Sequence, residues 1–211
     1  ERIVYGSETD AAHGEWVLRD RANKKPGWIP AGSEHIARPS GLFNLSLDAA
    51  TDHLIETLSR MIRENGIDIF RQDFNIDPLP FWRDNDEPDR AGITEIKYVT
   101  NFYRLWDTLL ARFPGMLIDN CASGGRRIDL ETCMRSVPLW RSDTGCSPLS
   151  DERPSDMWNQ NQSLCLSQYL AYHSVASWNA QAYEFRSAAT AGIAANFDVF
   201  DPAFDFAEGE K

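Results

Sequence analysis

The feature that most constrains this chain is an alternation of periods. Stretches with helical spacing of apolar residues take turns with short apolar runs, and each run closes on polar residues. From Asp48 to Asn65, Leu54, Ile55, Leu58, Met61 and Ile62 recur at three- and four-residue spacing, and Gly66 follows as a C-cap. Ile67 to Phe74 then reads as a strand. A loop with Pro78, Pro80, Phe81 and Trp82 leads into a second helix over Gly92 to Phe113. Its apolar side carries Ile93, Ile96, Val99, Phe102, Trp106, Leu109 and Leu110, and Pro114-Gly115 ends it. Met116 to Asp119 is the next strand. The Gly124-Gly125 turn opens a short helix near Arg127 to Arg135, and Val137 to Arg141 is a third strand. Ser155 to Tyr172 reads as helix, and Glu184 to Phe200 as a helical turn followed by a strand near Gly192 to Val199.

Strands that alternate with helices imply an α/β fold with a parallel sheet. An open doubly wound sheet and a closed (β/α)8 barrel both fit. The strand ends favour the barrel: Asp73 and Asn75, then Asp119, Asn120 and Cys121, then Ser142 and Asp143. Barrel active sites are assembled from such C-terminal strand ends. A full TIM barrel takes about 250 residues, whereas this chain has 211, and fewer than eight strands are legible. An incomplete barrel is expected, with no internal repeat or linker.

Charge and composition remove several functions. Lys and Arg total 21 against 32 Asp and Glu, a net charge of −11. That argues against a nucleic-acid partner and against a polybasic membrane patch. No apolar run approaches the ~20 residues of a membrane span. Seven Trp, eleven Phe and six Tyr supply a core that a disordered chain lacks. Cys121, Cys133, Cys146 and Cys165 are widely spaced, without a Cys-x-x-Cys pair, so no zinc site is expected; disulfides stay open. His13, His35, His53 and His173 have no ligand spacing. No metal or organic cofactor is implied. The chain opens at Glu1-Arg2-Ile3-Val4-Tyr5, without a methionine, as if cut from something longer, so no compartment is assigned.

Four constellations could carry chemistry. In Arg71-Gln72-Asp73-Phe74-Asn75, alternate residues of a strand share one side, so Arg71, Asp73 and Asn75 face one pocket and the cation keeps Asp73 ionised. Trp140-Arg141-Ser142-Asp143 sets a second carboxylate at a strand end beside an aromatic. Such a pair suits glycoside chemistry: one carboxylate attacks the anomeric carbon, the other protonates the departing oxygen and then activates water. The attacking group needs a low pKa and the protonating group a raised one. With so many acidic residues, two strand-end aspartates can also coincide by chance. Cys121-Ala122-Ser123-Gly124-Gly125-Arg126-Arg127 allows a close backbone approach to a ligand; no Lys-Ser/Thr follows, against a phosphate cradle, and no histidine motif pairs with Cys121 as a nucleophile. Finally, Trp28, Phe81, Trp82, Trp140, Trp158 and Trp178 offer faces on which a sugar ring can pack, although most such residues serve packing.

Taken together, the segments resemble glycoside hydrolase family 36, the α-galactosidase or melibiase family. Its Lys-Trp-Asp-x-Asn strand end is matched by Arg71-Gln72-Asp73-Phe74-Asn75. Its Cys-x-x-Gly-Gly-x-Arg segment is matched by Cys121 to Arg127, and its Trp-x-Ser-Asp by Trp140 to Asp143, all in the family's order. The resemblance implies a retaining α-glycosidase, with Asp73 as nucleophile and Asp143 as acid/base. The carboxyls would lie about 5–5.5 Å apart. It places Arg38, Arg71, Asn75, Cys121, Gly124 and Trp140 around the sugar. It implies a fragment covering about strands three to eight of the catalytic barrel over residues 1–211, without the family's flanking β-sandwich domains. The expected substrate is an oligosaccharide or glycoconjugate bearing a terminal α-galactoside, and a homo-oligomer is compatible with it. Arg71 and Gln72 replace the family's Lys and Trp, and Thr144-Gly145-Cys146 replaces its usual Asn-Thr continuation. These changes open α-N-acetylgalactosaminidase and transglycosylase alternatives. A non-catalytic carbohydrate-binding fragment is the alternative from another class.

Overall fold

The structure, a computed structural model, describes residues 2–21, 39–146, 155–196 and 200. They fall into two compact units, Glu1–Asp68 with Ile76–Met116 and Ile69–Asn75 with Leu117–Lys211.

The first unit holds strands β1 (Arg2–Val4), β2 (Val17–Leu18) and β3 (Ser40–Phe43) and helices α1 (Glu8–Ala12), α2 (Asp48–Asn65), α3 (Leu79–Asp84) and α4 (Ile93–Arg112). Its sheet runs β1-β3-β2 and both pairings are antiparallel, with Ile3 opposite Gly41 and Leu18 opposite Leu42. This corrects the expectation of a purely parallel sheet. The three strands are too short for the period-2 pattern to register in sequence.

The two long helices match their expected spans within one residue at each end, because both ends are set locally. Gly66 closes α2 in the left-handed conformation, and its N–H returns to Ile62 O. Asp86 steadies the start of α4 by accepting from the N–H groups of Gly92 and Thr94 at 2.7 and 3.0 Å. The buried faces differ from the expected ones. α4 buries Tyr98, Phe102, Leu105, Trp106 and Leu109, and Ile96 is exposed. α2 buries Thr51 and Ser59 beside Ile55 and Ile62, and Met61 is exposed. The polar positions are satisfied: Thr51 Oγ1 donates to Leu47 O at 3.0 Å, and Ser59 Oγ accepts from Arg112 at 2.9 Å. Asn101 reaches from α4 to Leu45 O at 2.8 Å, and Arg104 to Asp52 at 2.5 Å. The loop expected after Phe74 contains α3, with Phe81 buried and Trp82 tilted against Tyr98.

The second unit carries the strand-end residues. β4 (Ile69–Gln72) pairs in parallel with β5 (Leu117–Asn120), and β6 (Ala176–Ser177) in parallel with β7 (Ala194–Ala195). Here the parallel expectation holds, in two open sheets. The third expected strand, Val137 to Arg141, is reduced to one parallel bridge between Asp119 and Val137. Leu139 N, which would extend that ladder, donates instead to Val137 O and to Asp119 Oδ1, both at 3.1 Å. Further along, Arg141 N donates to Ser174 O at 3.1 Å, just before β6. Helices α5 (Leu130–Cys133), α6 (Ser155–Leu166) and α7 (Ala182–Ala188) complete the unit, and α6 ends short of the expected Tyr172. Among the described residues no helix is long and apolar enough to cross a membrane, no acidic, Cys or His cluster could hold a metal, and all four cysteines are free.

Candidate active site

The register of β4 on β5 sets Arg71 opposite Asp119 and Gln72 opposite Asn120. Arg71 is shared between two carboxylates. Its Nη1 binds Asp119, and its Nη2 lies 3.8 Å from Asp73 Oδ2. Asp119 is buried, and its other oxygen accepts from Leu139 N at 3.1 Å. The guanidinium is therefore held from behind before it meets Asp73. Asp119 belongs to the site's support although only its strand-end position drew notice in the sequence; the signal is the parallel pairing, which sequence order does not print.

Asp73 stands just past the end of β4 with its side chain 38% exposed. Oδ1 accepts from Phe74 N at 2.8 Å. Burial on its own raises the pKa of Asp73. Hydrogen bonds from the Asn75 amide and the Cys121 thiol, the Arg71 charge and the Phe74 N–H outweigh it and hold the carboxyl below its ordinary value. An ionised carboxylate with one face open is what an attacking group requires. Cys121 is 2% exposed. Burial raises its pKa, the Gly124 backbone opposes this, and Asp73 adds to the rise. It is a thiol donor to Asp73, not a thiolate nucleophile.

The segment from Cys121 to Arg127 ties the Asp73 strand end together. Asn75 Oδ1 accepts from Ser123 N and Oγ at 3.2 and 3.0 Å. Ser123 holds a left-handed φ of 49°, a cost of about 1 kcal/mol that these two bonds help to offset. Arg126 returns to Phe74 O at 3.2 Å, and Arg127 to Gln72 O at 3.0 Å and Cys121 O at 2.7 Å. The two arginines clip the loop to the residues flanking Asp73. Neither Ser123 nor this arginine pair stood out as a positioning group in the sequence.

The glycine pair makes a close approach within the chain itself. A Cβ on Gly124 would lie 2.7 Å from Asp143 N and 2.9 Å from Ser142 Cα, and one on Gly125 would lie 2.5 Å from Arg141 O. The close approach is to the backbone that carries Asp143. Gly124 also has φ 77°, which a side chain would strain. Gly124→Ala is therefore expected to displace the Asp143 backbone and to lower the unfolding temperature more than Gly6→Ala, which shares a positive φ, 78°, but has open space around it. Thermal unfolding of the two variants checks this.

Asp143 is exposed and begins a 3-10 turn over Asp143–Gly145, capped by Ser142 Oγ, which accepts from Thr144 N at 3.2 Å. Trp140 Nε1 donates to Asp143 Oδ1 at 3.1 Å, so this indole orients the carboxylate. Trp178 Nε1 donates to Gly145 O at 3.0 Å and fixes the far end of the turn. Asp73 and Asp143 share a neighbour in Cys146. Its pKa is raised by burial first and then by Asp143, with a lesser contribution from Asp73 and with Trp140 opposing. The structure thus brings Arg71, Asp73, Asn75, Cys121, Gly124, Trp140 and Asp143 into one unit. Arg38, Trp28 and His35 lie outside the described residues. Of the other aromatics, Trp158 is exposed on α6. His13 stacks on Trp16 at 3.7 Å, and His53 also lies against that ring.

The melibiase family model matches residues 1–153. The chain belongs to the melibiase family. The matched span takes in Asp73, the Cys121–Arg127 loop and Asp143 and stops before α6. Among curated melibiase-like relatives, an α-galactosidase of Escherichia coli is 31% identical over 143 residues, covering 68% of this chain and 18% of that protein. A probable α-galactosidase C of Aspergillus flavus is 29% identical over 147 residues, covering 65% and 18%. The chain therefore spans under a fifth of the length of these relatives. Among solved structures, the GH36 α-galactosidase AgaA of Geobacillus stearothermophilus aligns at 25% identity and TM-score 0.55, covering 69% of this chain and 19% of that one. An AgaA variant in complex with raffinose aligns over 100% of this chain and 28% of its own length, at 19% identity and TM-score 0.74. That second likeness speaks to the fold alone.

Proposed function

We propose that this melibiase-family chain is part of the catalytic barrel of a retaining α-glycosidase acting on terminal α-galactosides. The observation that carries the reading is the state of Asp73. It is an ionised, part-open carboxylate at a strand end, gripped by Arg71, Asn75 and Cys121, with a second carboxylate, Asp143, rising from the backbone on which Gly124 packs. The sugar is assigned from the curated relatives, which are named as α-galactosidases.

In the reaction, Asp73 attacks the anomeric carbon as Asp143 passes its proton to the glycosidic oxygen, and the alcohol departs. A glycosyl ester of Asp73 results. Asp143, now a carboxylate, takes a proton from water while the water oxygen attacks the same carbon. The Asp73 carboxylate is released and Asp143 is protonated again. Retention requires the two carboxyls to be about 5–5.5 Å apart. Arg71, Asn75, Cys121 and Gly124 line the sugar subsite, and Trp140 offers the ring face beside Asp143.

The test is hydrolysis of aryl α-galactoside, α-N-acetylgalactosaminide and α-glucoside by the purified chain, with the first product anomer read by NMR. Turnover of the galactoside with α-galactose appearing first is expected. Preference for the N-acetyl sugar would move the specificity, and β-galactose first would overturn retention. Products extended on added acceptor sugars would indicate transfer in place of hydrolysis. Sugar binding by a folded chain without turnover would support a binding fragment instead.

A further inference from the structure

Arg141 lies two residues before Asp143, is 2% exposed, and has no carboxylate partner among the described residues. Burying a guanidinium is costly unless its N–H groups are matched. Here they are spent on neutral acceptors from two segments, α6 and the stretch that holds His173. Nη1 reaches Ser163 Oγ and His173 Nδ1, both at 3.0 Å, and Nη2 donates to Asn159 O at 3.0 Å, while Nε is buried with no hydrogen-bond partner among the described residues. Burial pushes its pKa down to about 10, which still leaves it charged at neutral pH.

The acceptors are themselves fixed. His173 Nε2 lies 3.0 Å from Ser167 Oγ, and burial and Arg141 keep this imidazole below its ordinary pKa, so it serves as a neutral acceptor. Ser163 Oγ donates to Ser187 O at 2.9 Å on α7, and Asn159 Nδ2 to Ala176 O at 3.4 Å on β6. The same helix, α6, holds the next residues through Gln162 Nε2, 3.3 Å from Ser142 Oγ and 3.4 Å from Thr144 Oγ1. On the opposite side, Gly124 and Gly125 press on the backbone of residues 141–143. Asn159, Ser163 and His173 all lie beyond the span matched by the family model.

We infer that Arg141 is a positioning residue for Asp143: its buried guanidinium locks the backbone before Asp143 to α6 and His173, so that the Asp143 carboxyl meets the glycosidic oxygen at proton-transfer distance. The inference rests on the glycosidase reading above. Ordinary strand packing would be served by an apolar side chain at lower cost; a cation linking three segments directly behind an exposed acid fixes position.

A positioning role predicts a loss that follows the need for a proton. Arg141→Met is expected to lower kcat/KM, which reports the glycosylation step, by roughly 10²-fold on an alkyl α-galactoside, whose leaving alcohol must be protonated. On an aryl α-galactoside with a highly acidic leaving group the loss in kcat/KM is expected to stay below about tenfold, because general-acid assistance contributes least there. In an Asp143→Ala background the same substitution is expected to cost nothing further on either substrate, the signature of two residues acting through one group. Arg141→Lys keeps the charge with fewer donors and is expected to show the same pattern at smaller size; it carries the test if the methionine variant does not fold. Equal losses on both substrates, or losses that multiply with Asp143→Ala, overturn the inference and leave the glycosidase reading standing. Absence of α-galactoside turnover by the folded parent chain overturns both.

Discussion

Asp73→Ala is expected to abolish turnover of every α-galactoside tested, by on the order of 10⁴-fold or more, the scale seen when an enzyme loses its nucleophile. The loss should fall on kcat, because the side chain makes one bond in the transition state that nothing else replaces. The fold should survive. Asp119 still holds Arg71, and Ser123 still holds Asn75, so the neighbours keep their partners when the carboxylate goes. The parent enzyme adds a second readout. Asp73 has a depressed pKa in the folded chain, so the reactive carboxylate is fully present above the ordinary aspartate value and is lost only as pH falls through the lower, folded value. The acid limb of kcat/KM should therefore lie below about pH 4. Turnover by a folded Asp73→Ala variant within tenfold of the parent would remove Asp73 from the mechanism.

Asp143→Ala is expected to lower kcat by about 10²- to 10⁴-fold on alkyl α-galactosides. Activated aryl galactosides should pass the first step with a smaller loss and stall at the glycosyl ester, because no base remains to activate water. Azide needs no deprotonation. It should attack the anomeric carbon of that ester, release Asp73 as carboxylate, and give α-galactosyl azide. A burst of aryl alcohol followed by azide-dependent turnover is the expected trace. The same fractional loss on alkyl and aryl substrates, with no response to azide, would mean that Asp143 is not the acid/base. Trp140 supports the assignment, since its indole N–H fixes one carboxylate oxygen at 3.1 Å and leaves the other for the leaving group.

The sequence carried what is local. The spans of α2 and α4 follow from apolar spacing and from end signals a few residues away, such as Gly66 in its left-handed cap. The strand-end carboxylates could be found because short apolar runs stop at Asp73 and at Asp119. The ordered trio of segments around Asp73, Cys121 and Asp143 pointed to the family, which the match over residues 1–153 then showed.

Contacts between segments far apart in sequence were not legible. Local periodicity does not encode which short strand pairs with which, so the antiparallel β1-β3-β2 sheet was missed and the Val137 to Arg141 strand was overdrawn. The double glycine announced a close approach, and only the packed backbone showed that it meets Ser142 and Asp143. In the sequence Arg141 stands only as a member of the Trp140 to Asp143 segment, and Asp119 as one more acidic strand end. Their parts in the site come from partners 18 to 48 residues away, Asn159 for one and Arg71 for the other. Secondary structure here is dictated by hydrogen bonds and side-chain spacing within a few residues, which a sequence displays directly. The electrostatics of the site depend on burial and on which distant groups the fold closes against each carboxylate, and those exist only once the chain is packed.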